Sequence, residues 1–388
     1  MTSSPAGINC ATGSTATCSA NFPPNTQVTL SETPAASNAF SGWSGACTGT
    51  ASCSVTLSAA SAVTATFVVG GTLQSLNHLI IFAQENRSLD HYFGYMEQYW
   101  AQHGYGTGET FDGLPQFSST PGATPSLPGC DPSNPNGTDV CTPDPSNPVP
   151  SFHLQSICTE ELSPFWNEAR TDWNDNFSYP TQITPLLNGF VVAGANDARQ
   201  YPLSSNGGNP VNDVNGYRTM GYFQDSDLPY YYYMASNFAT SDRWFAPIMS
   251  RTQLNRMYIL AATSAGHAYP LSSSNSTGTL PNVTIFQALQ KAGITWKIYV
   301  KPPKGTTCEA NPTAECLYNY SYINMFQYGQ TIVQTLPQNL VPITTYMSDV
   351  KNGTLPQVAL IEPASDDGLD EHPTDDDTNG GVNIQAGA

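Results

Sequence analysis

The chain has 388 residues, of which 30 are Asp or Glu and 12 are Lys or Arg, a formal net charge of -18. A surface this acidic repels a polyanion and so excludes nucleic acid as a partner, and the lack of any apolar run of about eighteen residues excludes an ordinary transmembrane helix. Charged residues make up only 11% while Gly and Pro number 31 each, the neutral-polar, loop-rich composition of an exported protein with room for more than one domain.

Residues 1 to 70 read as a small all-β module. Within them "TCSANF", "TQVTLSETP", "AFSGWSGAC" and "CSVTLSAASAVTATFVV" alternate polar and apolar residues between Gly, Pro and Asn turns. The opening "MTSSPAGINC" has neither a basic nor an apolar region, and an export signal is expected to be missing from the sequence as given. Trp43 is expected in the module's core. The stretch "FSGWSGACTGTASCSVTLSAASAVTATF" resembles the small cysteine-bearing β-repeats appended to bacterial secreted proteins, which implies an accessory or spacer role.

Of nine cysteines, eight fall in close couples: Cys10 with Cys18, Cys47 with Cys53, Cys130 with Cys141, and Cys308 with Cys316. Short-loop disulfides and a secreted or periplasmic location follow, although spacing alone does not fix connectivity. Cys158 is left over, as a buried thiol or the partner of something else. Metal ligation is the weaker alternative, since no C-x-x-C pair occurs.

"VVGGTLQS" at 68 to 75 reads as a linker, and 71 to 388 as the second domain. Its "HLIIFAQ" is strand-like and leads to a helix beginning near Ser88. Residues 113 to 151, crowded with Pro, Ser, Asn and Gly, read as a long stapled surface loop. "SPFWNEARTDWNDNF" reads as a helix with Ser163 as N-cap and Pro164 at its first position. "DLPYYYYMASNFATSD" is a second helix. "TIFQALQKAGITWKIYV" gives a helix, a stop at Gly293 and a strand, and "QVALIEP" a further buried strand. Strands alternating with helices predict an α/β fold, a three-layer sandwich with a mostly parallel sheet.

Ligands in such folds sit beyond the carboxyl ends of the strands, where Glu85 and Asn86 directly follow an apolar run. A carboxylate and an amide oxygen suit a hard divalent cation. The alternative is a capping turn in which Asn86 and Ser88 satisfy backbone amides and Arg87 pairs with Asp90. In "DRWFAPIMSRTQLNRMYILAATSAGH", Thr252 precedes a helical pattern. There free amides and the positive dipole end would favour attack by its hydroxyl on a phosphorus centre, whereas a plain N-cap is the alternative. In "LIEPASDDGLDEHPTDDDTNGG", His372 before Pro373 is the stronger functional candidate. Asp375, Asp377, Asn379 and Gly380 open a calcium-loop pattern that fails at position twelve, where Ala386 stands instead of Glu.

Taken in order, "QENRSLDHYFG", "SFHL", "SDRWFAPIMSRTQLNRMYILAATS", "DEHP" and "GVNIQAGA" resemble the bacterial phosphoesterase family of phospholipases C and acid phosphatases, a branch of the alkaline-phosphatase-like superfamily. The likeness spans about 76 to 388. It implies a divalent metal ion, of unspecified identity, held by Glu85, Asn86 and Thr252, with Thr252 the phosphate-accepting nucleophile. It maps active-site histidines onto His153 and His372, with His267 a third candidate. Asn255 and Arg256 would steady the phosphate or orient the helix. Leu89, Leu254 and the "SR" before Thr252 depart from the family pattern, which bears on substrate preference more than on reaction type. The resemblance further implies another strand ending in an acidic pair beyond "NIQAGA", so that the chain is expected to be a fragment with an incomplete metal site and little or no turnover of its own.

The function expected is metal-dependent hydrolysis of a phosphate ester or phospholipid through a phosphothreonine. The alternatives are a secreted binding or adhesion protein with a degenerate second domain and a calcium-stabilised structural protein. Oligomeric state, metal identity and the choice between phospholipid and soluble monoester are not legible at this level.

Overall fold

The structure, a computed structural model, describes residues 1–11, 17–35, 38–50, 52–69, 76–106, 108–134, 139–176, 184–200, 211–271, 277–362, 369–373 and 385. Most of the expected linker, and the acidic run with the calcium-loop pattern, lie outside the described residues. The chain divides into two compact units, Met1–Leu79 and Ile80–Ala388.

The first unit is antiparallel. Strands β1 (Thr2–Ser4), β2 (Gln27–Ser31), β3 (Asn38–Gly45), β4 (Cys53–Thr56) and β5 (Val63–Val69) form the sheets β1-β2-β4 and β3-β5. The period-two alternation buries Val28 and Leu30 of β2 against Trp43 and Cys53. So small a core is reinforced by the disulfides Cys10–Cys18 and Cys47–Cys53.

The second unit begins with strand β6 (Leu79–Phe82) and helices α1 (Leu89–Phe93) and α2 (Met96–His103). The segment expected as a loop is instead an antiparallel ribbon, β7 (Ser126–Cys130) with β8 (Pro143–Pro150), stapled by Cys130–Cys141. A two-stranded ribbon has two outer edges, so its prolines need not donate to a ladder. There follow β9 (Phe152–His153), α3 (Trp166–Trp173), α4 (Phe190–Gln200), β10 (Gly221–Tyr222) and α5 (Pro229–Asn237). Helix α3 starts later than its capping signal suggested, with Phe165 as N-cap in place of Ser163. The Trp166 ring receives the Arg170 guanidinium at 4.1 Å one turn on, a contact that favours winding from Trp166.

Helices α6 (Thr252–Ala261) and α7 (Ile285–Lys291) precede strand β11 (Trp296–Val300). Thr284 caps α7 through its side chain, and Gly293, at φ 70°, makes the left-handed turn into β11. After α8 (Thr307–Ala310), α9 (Ala314–Tyr318) and α10 (Gln327–Thr335) come β12 (Leu340–Pro342), α11 (Thr344–Asn352) and β13 (Val358–Ile361). The disulfide Cys308–Cys316 ties α8 to α9. The principal sheet runs β12-β11-β13-β6, with β11 parallel to both neighbours.

Alternate residues of β11 face opposite layers. Trp296, Ile298 and Val300 join Leu254, Met257 and Leu260 of α6, Phe286 of α7 and Ile332 of α10 in the main core. Lys297 and Tyr299 turn the other way, to α11, where Asp349 accepts from Lys297 Nζ at 2.6 Å and from the Tyr299 hydroxyl at 2.8 Å. Helices therefore cover both faces, giving a three-layer α/β domain behind an all-β module. Thr354 adds a bond of 2.8 Å to the other Asp349 oxygen. Asp349→Ala leaves these donors unpaired and is expected to cost about 2–3 kcal/mol, read as a lower urea midpoint at unchanged m-value; an unmoved midpoint would show that the network does not hold α11 to the sheet.

Candidate active site

The turn after β6 carries the sequence Gln84-Glu85-Asn86-Arg87-Ser88. Asn86 stands at φ 73°, a left-handed conformation that Asn tolerates better than most side chains. The side chains of Gln84, Asn86 and Arg87 donate to the successive carbonyls of Leu369, Asp370 and Glu371, at 3.2, 2.7 and 2.8 Å. The turn thus grips the "DEHP" segment. A simple capping turn is not what forms. Ser88 makes no side-chain cap bond, and Arg87 Nη1 reaches His91 Nε2 and Thr159 Oγ1, at 3.2 and 3.0 Å. Burial holds His91 down to about 3, so the ring is neutral; Nδ1 donates to the Gly221 carbonyl and Nε2 accepts from Arg87.

Glu85 is the centre of the cluster. Arg256 of α6, 171 positions away in sequence, approaches Glu85 Oε2 at 3.2 Å through Nη2 and 3.3 Å through Nε. The same guanidinium donates to the Ala83 carbonyl and lies 5.2 Å from the Tyr322 ring centre. Tyr322 donates its hydroxyl to Glu85 Oε1 at 3.4 Å. Burial raises the Glu85 pKa and the neighbouring Asp370 carboxylate adds to it, while Arg256 and a hydrogen bond from the Thr252 side chain pull it back. Thr252 is the first residue of α6, not its N-cap; Arg251 holds that position without a side-chain cap bond. The backbone amides of the first turn therefore have no side-chain acceptor from the cap residue.

Asn255 binds the loop before the nucleophile candidate. Its Nδ2 donates to Ser250 O at 2.8 Å and to Ile248 O at 3.3 Å. In this structure Asn255 and Arg256 orient the start of α6 and its surroundings. Glu362, just past the end of β13, was missed by the sequence reading. It is buried, accepts from Ser321 Oγ at 2.9 Å and from Tyr322 N at 3.2 Å, and feels both Arg256 and Glu85.

The three histidines lie in different settings. His372 bridges two acids, with Nε2 3.0 Å from Glu161 and Nδ1 3.4 Å from Asp370. Hydrogen bonds to Asp370 and Glu161 raise its pKa to about 10, so it is a cation at neutral pH. His153, on β9, pairs through Nε2 with Asp227 at 2.7 Å, and Asp227 is itself fixed by Gln224 N at 2.9 Å. Among the described residues no hydrogen bond or ring contact joins His153 to Glu85, Asn86 or Thr252. His267 follows the end of α6, where the chain doubles back: Ser250 Oγ donates to Ala268 O at 2.8 Å. His267 is thus one residue from the loop that leads into Thr252.

The donor chemistry fits a hard divalent ion. Glu85 lies in the field of both Glu362 and Asp370, and the available donors are oxygens. Asn86 gives its amide nitrogen to the strap, which leaves its oxygen as a ligand atom. Among the described residues no three of His, Cys, Asp and Glu converge at metal-binding geometry, so Glu85 would act with the neutral oxygens of Asn86 and Thr252.

Fold and cluster together define an α/β domain with an oxygen-rich site at the carboxyl edge of a mainly parallel sheet. The family model of the Phosphoesterase family matches residues 76–386, and the chain belongs to that family. Residues 5–71 match the divergent InlB B-repeat domain. The chain is similar to non-specific phospholipase C4 of Arabidopsis thaliana, 28% identical over 319 residues, which cover 78% of this chain and 48% of the plant protein. It is 26% identical over 321 residues to phospholipase C B of Mycobacterium tuberculosis, covering 78% and 52%. Hemolytic phospholipase C of Pseudomonas aeruginosa is 26% identical over 243 residues, 59% of this chain and 26% of that one. The chain spans about half the length of the first two.

Behind His372 lies a layer of acids. Asp197 feels Arg218, Glu168 and Glu161, and Asp172 feels Glu168 one helical turn earlier on α3. Burial first, and Glu168 second, push Asp172 up to about 7. Its folded pKa exceeds the unfolded one, so this stability is complete below the unfolded value and is lost as pH rises through about 7. Asp172→Asn removes the penalty. It is expected to raise the melting temperature over the parent at about pH 8, with the gap closing towards about pH 4. A gap of equal size at both pH values would show that Asp172 is not the group concerned.

Proposed function

We propose that this chain hydrolyses phosphate esters, phospholipids among them, with Thr252 as the nucleophile. The observation that carries the reading is Thr252 at the open N-terminal turn of α6, whose Arg256 pairs with the Glu85 carboxylate at 3.2 Å, with the Thr252 side chain near enough to hold the Glu85 pKa down. Phosphate oxygens would meet the first-turn amides and the positive end of the helix. The relatives named phospholipase C support the reaction class.

In the first step Thr252 Oγ bonds to phosphorus, the bond to the alcohol oxygen breaks, and the alcohol leaves with a proton. In the second, water attacks phosphorus, the bond to Oγ breaks, inorganic phosphate leaves where the substrate is a monoester and the phosphorylated headgroup leaves where it is a phospholipid, and Thr252 regains its proton. A divalent ion held by Glu85, Asn86 and Thr252 would supply Lewis-acid activation of the hydroxyl and charge neutralisation. Arg256 fixes the Glu85 carboxylate from the far side. His372, a cation held by Glu161 and Asp370, supplies positive charge beside the cluster and is the candidate proton donor to the leaving alcohol. The His153–Asp227 pair is a second acid–base group, its ring oriented by the carboxylate. His267 is the third candidate, carried by the loop packed on Ser250. The four disulfides and the β-repeat unit support a secreted or periplasmic setting.

Thr252→Ala is expected to abolish turnover of p-nitrophenyl phosphate and its phosphocholine ester, a loss of roughly 10⁴-fold or more. Quenching the parent in acid during turnover and mapping the modified peptide should place phosphate on Thr252. Turnover surviving in the alanine variant, or label on another residue, sinks the mechanism.

A further inference from the structure

Glu371 has an unusual situation for a carboxylate. It is fully buried, and the side-chain donors that reach it are two phenols: Tyr92 of α1 donates to Oε2, and Tyr231 of α5 donates to Oε1 at 2.9 Å. Its backbone stands at φ 64°, the left-handed region that a glutamate rarely adopts. Its carbonyl receives Arg87 Nε. The buried Arg87 guanidinium also lies in the field of this side chain, but the strained backbone is unfavourable, so something must be gained from holding this peptide in place.

The neighbours show what is gained. On one side Asp370, also buried, adds its charge to Glu85 and offers its carbonyl to Asn86. On the other side His372 reaches back to Asp370 and across to Glu161. The Tyr92 and Tyr231 rings pack 5.4 Å apart beneath the same turn. One side chain therefore anchors the strap between two residues of the candidate site.

We propose that Glu371 is a positioning residue: clamped by Tyr92 and Tyr231, it fixes the strap so that Asp370 stays beside Glu85 and His372 stays on Glu161. This rests on the hydrolytic reading above. The clamp touches no substrate and acts through its neighbours.

The test uses the full chain with divalent metal supplied, p-nitrophenyl phosphate as substrate, and thermal unfolding measured on the same samples. Glu371→Ala is expected to lower kcat about 10–100-fold, with KM changed little, in protein that still melts cooperatively. Glu371→Gln can accept from one phenol and donate to the other, and should recover most of the lost rate. Tyr231→Phe, which removes one donor without opening a large cavity, should lie between them and serves if the alanine variant does not fold. Asp349→Asn, on the opposite face of the sheet, should lower the melting temperature without moving kcat. An active parent whose folded Glu371→Ala or Tyr231→Phe variants keep the parental kcat overturns the positioning role and leaves hydrolysis standing. A parent no more active than Thr252→Ala overturns the hydrolytic reading, and the positioning role with it.

Discussion

The structure around the site depends on one electrostatic constraint: Glu85 and Glu362 share a low-dielectric space with the Arg256 guanidinium, while Asp370, which repels Glu85, answers to Arg87 and His372. Desolvation raises both glutamates, and their mutual repulsion adds to it. Arg256 answers this from a fixed position, since the Ala83 carbonyl and the Tyr322 ring hold it as well as Glu85. Buried carboxylates that repel one another are unfavourable by themselves and become favourable when a cation or a set of oriented dipoles completes the cluster. The start of α6 supplies the dipoles, and the oxygen donors suit the cation.

The same constraint explains why distant segments are fastened to each other so thoroughly. Glu85 follows β6, Glu362 follows β13, Thr252 opens α6 and Asp370 lies on the strap. Repelling carboxylates stay together only if their backbones are held by other bonds. Three side chains of the β6 turn bind three successive strap carbonyls. Glu362 in turn holds the backbone of Tyr322, whose hydroxyl returns to Glu85.

How much of this could be read from sequence depended on the range of the interaction. The apolar runs of β11 and β13 and the turn at Gly293 are local, and they were legible as strands and a stop. So was the rule that ligands gather past strand ends, which singled out Glu85 and applied equally to Glu362. That residue opens the acidic stretch after β13, in which His372, ten positions on, was preferred. Proline-rich β8 read as loop, since its pairing with β7 is a matter of which edge the missing N–H groups face. The start of α3 was misread because a Trp–Arg contact within the helix outweighed a good capping sequence. The Tyr92–Glu371–Tyr231 clamp joins three segments of unrelated pattern, and no periodicity marks it.

The scarcity of cations sharpens the point. With 12 Lys and Arg against 30 acids, four cations of the second unit are committed to structural tasks. Arg256 holds Glu85, Arg87 holds the strap, Arg218 sits between Asp197 and Asp213, and Lys297 locks α11 to the sheet through Asp349. None of these is spare to meet an incoming dianion. A phosphate group arriving at Thr252 would be met by backbone amides, by the charge of Arg251 just before it, by the imidazolium of His372 and by an ion held on Glu85 and Asn86. In a chain of net charge -18, an anionic substrate is acceptable only where such local sources of positive potential are concentrated, and the N-terminal turn of α6 beside the strap is where the described residues concentrate them.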